Sequence, residues 1–483
     1  MVKFATPVVD IESSRFQGDV PEAISLDWDG LEDSANPKNW RIGKRLFNTI
    51  LPAIFAFLIT FTTSTYVPGI PLIMVEFHVS QLAATLGLAL YTFAIALGPL
   101  ISAPLSELLG RKPVYLVTMG MLLAFVGGAG GAQNFQTLLV CRFLAGIFGS
   151  GAIAIGAGTI ADLWDMSTHG GPASLGFVMG PFLGTVLGYI AGAYIIADQD
   201  NDWRWSAWIV LIVGAPFFIL SFFLSETSKQ HILERRHRKS SKYTPSNANS
   251  TELFLKELRT AIVRPLHMMF TEPIVAYVSI YTGFTFAMIF SYFASYSYVF
   301  AVVYHFNARE IGLAFIGILP GFLLAVVVFG GFDKTIYARA RDAANGKPAP
   351  EHRLYAAMLG SLLMPIGLFW FAWSARESVH WIVPVLSGIP FGCGMFAIFL
   401  SSTTYLMDVY LSSTGASAIA ANGILRYTFG GAFPLFTIRM YEALGVGYAG
   451  SVFAFVSVLL LPIPWVFFKY GKDLRGRSGY DTI

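Results

Sequence analysis

The chain has 483 residues, of which 55% are apolar and 13% charged, with a formal net charge of +3. Soluble domains carry about 25% charged residues, so this composition excludes a soluble globular protein and indicates a polytopic membrane protein. Both cysteines, Cys141 and Cys393, lie in apolar stretches, which excludes a disulfide framework and a cysteine-based metal cluster.

Runs of about 20 apolar residues, the length that crosses a bilayer as a helix, predict an all-α membrane protein with twelve spans. Residues 1–45 are polar and form a predicted cytoplasmic tail. The spans are 46–66, 81–101, 113–132, 136–160, 172–196 and 205–224, then 273–299, 310–331, 354–373, 380–406, 415–437 and 445–468. They predict an N-terminal bundle, 46–224, and a C-terminal bundle, 273–468, followed by a second tail, 469–483.

Positive charge is concentrated on one predicted side of the membrane. Residues 225–272, between the bundles, hold a basic run and then a Ser- and Asn-rich stretch, which predicts a cytoplasmic linker. The predicted outer loops contain only Arg204, Arg309, Arg376 and Arg439 of the 32 Lys and Arg residues. Because Lys and Arg concentrate on the cytoplasmic side of membrane proteins, both termini are predicted to be cytoplasmic.

The predicted fifth helix contains a regular glycine strip. Gly176, Gly180, Gly184 and Gly188 recur every fourth residue, with Pro181 among them. On a helix this spacing forms a line without side chains, which lets a second helix approach closely. The strip predicts a helix at a sliding interface; the alternative is that the glycines pack a static bundle.

Two arginines lie inside apolar spans, Arg142 in the fourth and Arg426 near the middle of the eleventh. An unpaired charge there costs at least about 2.5–3.5 kcal/mol, so such residues usually face a cavity or a partner. The alternative is snorkelling or pairing with backbone carbonyls. We expect Arg426 to hold a carboxylate or polar group of a ligand.

Acidic residues are missing from the central part of every predicted span. Glu107, Asp162, Asp333 and Asp408 all stand at helix ends. A carrier of multivalent cations needs buried carboxylates to receive them. The cavity is therefore expected to suit neutral or anionic molecules.

The predicted seventh helix is dense in aromatic residues. About half are expected to face lipid, and the others to form the apolar wall that small-molecule pockets have; Tyr281 and Tyr292 are the candidate substrate contacts. The sequence contains no phosphate-binding GK[ST] loop, nucleophile elbow or metal-spaced His and Cys set. Enzymatic catalysis, ATP drive, a cofactor and a metal are therefore not expected.

An ordered set of motifs resembles the major facilitator superfamily, and within it the fungal twelve-spanner drug:proton antiporters of the multidrug-resistance type. The set runs from Asp27-Trp-Asp-Gly30 to Lys469-Tyr-Gly471. The glycine strip is similar to the family's antiporter motif on helix 5, and residues 139–146 to its helix 4 motif. Residues 104–112 are similar to the loop between helices 2 and 3.

The resemblance implies two pseudo-symmetric six-helix bundles that rock around a midplane site, with the proton gradient as energy source. It implies that helices 5 and 8 face each other across the halves, so that Gly317 and Gly321 of helix 8 would meet the glycine strip and seal one side of a cavity. Glu107, Arg111 and Lys112 would latch the cytoplasmic gate in one state only.

Two further residues take their expected roles from the same resemblance. Asp162, at the cytoplasmic end of helix 4, would belong to the gate. The family is thought to use the arginine of its helix 4 motif in proton coupling, so Arg142 is expected to couple protonation to movement.

Together these features predict a proton-coupled antiporter that exports drugs or fungal secondary metabolites by alternating access. A dedicated organic-acid exporter is a serious alternative, because of the two arginines and the missing acids. A non-transporting receptor and an uptake carrier are further alternatives, and the helix 5 strip argues against the second. The expected partners are a small-molecule substrate, protons and the plasma-membrane bilayer, without nucleic acid and with the protein acting as a monomer.

Overall fold

The computed structural model describes residues 27–30, 32–165, 170–239, 250–344, 348–410, 412–480 and 482. Within these ranges, ten helices are long and apolar enough to cross a membrane by length and composition. An eleventh apolar helix, Trp205–Ser221, is shorter. Residues 1–26 of the predicted tail and 240–249 of the predicted linker lie outside the described ranges.

The N-terminal half makes six crossings. Its helices are α1 (Ile42–Thr65), α2 (Ile70–Phe77), α3 (Gln81–Leu109), α4 (Arg111–Gly130), α5 (Phe135–Gly149), α6 (Gly151–Leu163), α7 (Gly170–Asp198) and α8 (Trp205–Ser221). The pair α1 and α2 forms one crossing, and so does the pair α5 and α6. Two further helices, α9 (Lys229–Lys239) and α10 (Ser250–Thr271), lie between the halves.

The C-terminal half repeats this arrangement. Its helices are α11 (Pro273–Val302), α12 (Ala308–Ala314), α13 (Leu319–Phe332), α14 (Ala338–Ala343), α15 (Tyr355–Ser374), α16 (Ile382–Leu386), α17 (Gly388–Val409), α18 (Ser412–Ala432), α19 (Pro434–Leu444), α20 (Val446–Leu460) and α21 (Pro462–Arg475). The crossings are α11, α12 to α14, α15, α16 with α17, α18 with α19, and α20 with α21. The predicted fold class, two six-helix bundles, is confirmed.

The two sides of the molecule are distinguished by the connections that they carry. Six crossings in each half return the chain to the side on which it started, so α9, α10 and the end of α21 lie with the start of α1. We call this the linker side and the opposite one the loop side. Three crossings that start on the loop side begin with a polar cap: Ser80 at α3, Asn134 at α5 and Asn307 at α12.

The glycine strip of α7 lies against α1 of the same half. A Cβ atom on Gly180 would be 2.8 Å from the carbonyl oxygen of Ala53, and one on Gly184 would be 2.3 Å from that of Phe57. No side chain fits at such distances, so the two helices touch backbone to backbone.

Helix 8 of the sequence analysis, α12 with α13, makes the same kind of contact inside the C-terminal half. A Cβ on Gly317 would be 2.4 Å from the carbonyl oxygen of Val385, and one on Gly321 would be 2.4 Å from that of Ile389. The expectation that the two glycine sets meet across the halves is therefore wrong. Glycine spacing marks a surface that allows close approach, but it carries no information on which helix approaches.

We expect Gly184→Ala to lower the stability of the purified protein by about 1–3 kcal/mol, because the new methyl group overlaps the backbone of α1. Thermal unfolding in detergent, monitored by size-exclusion chromatography, measures the change in melting temperature. Gly330→Ala in α13 is the matched control, since nothing lies within 4 Å of its Cβ position. Equal melting temperatures for the two variants would contradict the proposed backbone contact.

Candidate functional site

The two halves are joined on the loop side by α7 and α12. Asp198 at the end of α7 forms an ion pair with Arg309 at the start of α12. One turn further into the membrane, a Cβ on Gly312 would lie 3.1 Å from the Cβ of Ala193. The ends of these two helices are therefore in direct contact.

Further contacts extend this closure towards the middle of the molecule. The hydroxyl groups of Tyr189 in α7 and Ser297 in α11 are 2.6 Å apart. A Cβ on Gly431 of α18 would be 3.0 Å from the carbonyl oxygen of Ala89 in α3. The structure thus shows the two halves closed on the loop side.

The contact between the halves continues at the centre of the molecule, where the ring of Phe182 in α7 lies among aromatic rings of the second half. The ring centroids lie 4.4 Å from Phe396, 5.1 Å from Phe399 and 5.4 Å from Phe322. The sequence analysis did not single out Phe182. The sequence could have pointed to Phe182, because this residue lies on a different face of the helix from Gly180 and the other strip glycines.

Arg426 of α18 lies beside this aromatic cluster. The carbon of its guanidinium group is 4.8 Å from the ring centroid of Phe399, 5.0 Å from that of Tyr427 and 5.3 Å from that of Phe286. The residue is 8% exposed, its Nε has no hydrogen-bond partner, and it forms no ion pair with any described carboxylate. Aromatic faces stabilise a cation only in part, so this site suits an anionic or hydrogen-bond-accepting ligand.

Arg142 of α5 is equally buried, but its surroundings satisfy most of its polar atoms. Its Nε donates to the carbonyl oxygen of Gly87 at 3.1 Å and its Nη1 to that of Thr62 at 3.0 Å. The guanidinium group also lies 4.3 Å from the ring centroid of Tyr66 and 4.6 Å from that of Tyr91. These contacts join α1, α3 and α5 within the first half.

A cluster of charged groups ties the first half together on the linker side. The backbone N–H groups of Arg111 and Lys112 donate to the two carboxylate oxygens of Glu226 at 2.8 and 3.1 Å. The Nε of Arg111 donates to Asp162 at 3.2 Å. A carboxylate at a helix N-terminus is favoured by the helix dipole. Gly110 is required beside it, because its φ is +91° and a Cβ would lie 2.5 Å from Glu226.

Glu107 does not join this cluster. It is exposed at the linker-side end of α3 and forms no ion pair within the described part of the chain. Glu226, which follows α8, provides the carboxylate at the start of α4 instead. In the sequence, Glu226 could have been recognised as a single acidic residue directly after the sixth predicted span.

The second half repeats the cluster at the corresponding place. Arg353 precedes α15 and donates to Asp333 at 2.6 Å and to Asp408 at 2.7 Å. In both halves, an arginine at the start of the third crossing bonds an aspartate at the linker-side end of the fourth. This shared geometry supports an internal duplication of the six-helix unit.

The two candidate tyrosines lie inside the second half. Tyr292 stacks on Phe391 of α17 with ring centroids 4.1 Å apart, and its ring lies 5.4 Å from that of Phe371 in α15. Tyr281 is 2% exposed. The boundary with the first half is instead lined by the rings around Phe182.

Comparison with known proteins identifies the family. The model of the Major Facilitator Superfamily matches residues 53–434. The chain belongs to this superfamily. It is 38% identical to Polyamine transporter 4 of Saccharomyces cerevisiae over 97% of this chain and 75% of that protein. It is also 38% identical to the multidrug transporter mdrA of Aspergillus fumigatus over 93% of this chain and 74% of that protein.

The fold is shared with a solved structure of the same superfamily. The match to the inward open xylose transporter XylE from E. coli covers 87% of this chain and 95% of the XylE chain, with a TM-score of 0.64 and 16% identity. The family match and the similar curated proteins show that the protein is a multi-pass membrane transporter of small molecules and not an enzyme. The predicted resemblance to the fungal multidrug family is confirmed by its fungal relatives.

We expect opposite effects on stability from replacing the two buried arginines with methionine. Arg142→Met removes hydrogen bonds to two carbonyl groups and should destabilise the protein by about 1–3 kcal/mol. Arg426→Met removes a buried charge that pairs with no described carboxylate, and it should leave the stability unchanged or raise it. Thermal unfolding of both variants in one detergent tests this, and a lower melting temperature for Arg426→Met than for Arg142→Met would refute it.

Proposed function

We propose that this transporter exports small neutral or anionic organic molecules in exchange for protons. The observation that carries the proposal is Arg426, a buried cation that forms no ion pair with a described carboxylate, beside the ring cluster where the halves meet. An anionic substrate would supply the missing charge, and the rings around Phe399 would contact its apolar part. Relatives named as efflux pumps support the outward direction.

A polyamine substrate is less favoured, although one relative is named a polyamine transporter. A multivalent cation needs carboxylates inside the membrane. Asp162 and Asp408 lie at the linker-side ends of their helices, where they are already bonded to Arg111 and Arg353. A dedicated organic-acid exporter is the second candidate, and Arg426 is the observation that favours it.

Alternating access would move the helix ends that carry the two linker-side clusters, each of which lies within one half. In the present arrangement the halves are closed on the loop side through Asp198 and Arg309. Opening there requires closure on the linker side, and the clusters of Arg111 and Arg353 stand at the helix ends that must then move. Protonation of a carboxylate in either cluster would weaken its ion pairs and bias the equilibrium between the two states.

Arg142 is proposed to take part in coupling protonation to movement. Its guanidinium group contacts α1, α3 and α5 together, so a change in its electrostatic surroundings acts on all three helices. The linker side is proposed to be cytoplasmic, because Lys and Arg are concentrated there. The proposed location is the plasma membrane, with the protein acting as a monomer.

Proteoliposomes with an imposed pH gradient test the proposal. The protein should move anionic and neutral organic probes against the direction of proton flow, and should not move a polyamine. Arg426→Ala should reduce transport of the anionic probe at least about tenfold, the value of one lost charge-assisted hydrogen bond. Transport of the neutral probe should change much less.

The controls separate this role from misfolding. Arg426→Lys retains the charge and should retain part of the anionic transport, and reconstituted protein is quantified for each variant. Anionic transport that survives Arg426→Ala unchanged would exclude the proposed contact. Probe movement in the same direction as protons would identify an uptake carrier, and no movement of any probe would favour a receptor.

A disulfide across the loop side should stop transport. Ala193→Cys combined with Gly312→Cys, with Cys141 and Cys393 replaced by alanine, brings two thiols to a separation that needs only a small shift to form a disulfide. Oxidation should abolish transport by locking the halves, and reduction should restore it. Each single-cysteine variant is a control that should respond to neither treatment. Full transport by the oxidised, cross-linked protein would show that these helix ends do not separate.

A further inference from the structure

An apolar groove of about 550 Å³ lies between α1 and α7 on the linker side. On α1 it is lined by Ile50, Ile54 and Phe57, and on α7 by Gly176 and Leu183. The groove exists because α1 and α7 touch through their glycine contacts only from position 180 onwards. A Cβ on Gly176, nearer the linker side, would have no neighbour within 4 Å.

The groove opens away from the boundary between the halves. On α7, Gly176 and Leu183 lie on a different face from Phe182 and Tyr189, whose rings contact the second half. Leu187, one turn beyond Leu183 on the groove face, is 37% exposed. The groove therefore faces the lipid and not the proposed substrate site.

Cationic and aromatic side chains surround the linker-side end of the groove. The Nζ of Lys44 lies 3.6 Å from the ring centroid of Trp40, and the guanidinium carbon of Arg45 lies 4.1 Å from that of Trp164. Trp164 itself lines the groove. The Nε of Arg45 is buried without a hydrogen-bond partner.

Three carboxylates that precede α1 are paired with cations of α9. The Nζ of Lys229 donates to Asp27 at 2.7 Å, and this hydrogen bond lowers the pKa of the Asp27 carboxyl group. Arg236 pairs with Asp29 at 2.6 Å and with Asp33 at 2.7 Å. These three acidic residues are thus bonded to α9, and Arg45 forms no ion pair with any carboxylate that the structure describes.

We propose that the groove binds one anionic phospholipid of the linker-side leaflet. One acyl chain fills the apolar groove between α1 and α7, and the phosphate of the headgroup accepts charge-assisted hydrogen bonds from Lys44 and Arg45. The lipid would occupy the space that the glycine contact leaves open and hold the linker-side ends of α1 and α7 apart. This inference does not depend on the identity of the transported molecule.

Binding of defined lipids to the full-length protein tests the proposal. Delipidated protein in detergent is titrated with dioleoylphosphatidylserine or dioleoylphosphatidylcholine, and the lipid-bound species are counted by native mass spectrometry. Phosphatidylserine should bind more tightly, by about fivefold for each cation that it contacts. Lys44→Gln with Arg45→Gln should remove this preference. Gly176→Leu should weaken the binding of both lipids about tenfold, because the new side chain displaces about two methylene groups of the acyl chain.

Matched variants in the second half provide the controls. Gly330→Leu places the same side chain at another glycine without neighbours, and Arg339→Gln with Arg341→Gln removes two cations on the same side. Neither should change lipid binding, and melting temperatures confirm that all variants are folded. Equal binding of the two lipids would overturn the proposal, and so would binding that Gly176→Leu leaves unchanged or that Gly330→Leu weakens equally.

Discussion

Direct contact between the backbones of α1 and α7 determines the geometry of the first half. At Gly184 no side chain fits in front of the carbonyl oxygen of Phe57, and the hydroxyl of Thr60 donates to the carbonyl oxygen of Pro181 at 2.7 Å. In hydrocarbon, helices associate through such packing and polar contacts, because lipid is as apolar as their side chains. The second half uses the same device at Gly317. Each half is therefore an interlocked unit, and movement is left to the boundary between them.

Much of that boundary is built from side-chain interactions that can separate. The ion pair of Asp198 and Arg309 lies at the surface, where such pairs contribute about 0–1 kcal/mol, and the ring of Phe182 lies among aromatic rings of the second half. Side chains of this kind exchange partners without changing the path of a helix, whereas two backbones in contact cannot slide past each other's carbonyl groups. Strong contacts within each half and weaker ones between the halves are what a rocking transporter requires.

The sequence predicted the fold well because the bilayer imposes one length on every crossing, and that length is visible as an apolar run. It predicted poorly the features that need two distant segments. The strip around Gly184 shows one surface, so its partner could not be identified from spacing. Glu226 acquires its role only when the end of α8 meets the start of α4. Tyr292 belongs to an aromatic-rich helix, but the composition of that helix does not show which of its faces packs inside the second half and which faces the first half.

The two buried arginines show why position in the fold, and not residue type, assigns function. Arg142 donates hydrogen bonds to two carbonyl groups and contacts the ring of Tyr66, so its charge holds three helices of the first half together. Arg426 contacts aromatic rings but has no counter-ion within the part of the chain that the structure describes, and it stands beside the boundary that must open. Replacing a buried charge by an apolar residue is often stabilising. The charge of Arg426 is therefore kept at a cost to stability that packing does not require. Such a cost is typical of a binding site whose ligand completes the electrostatics.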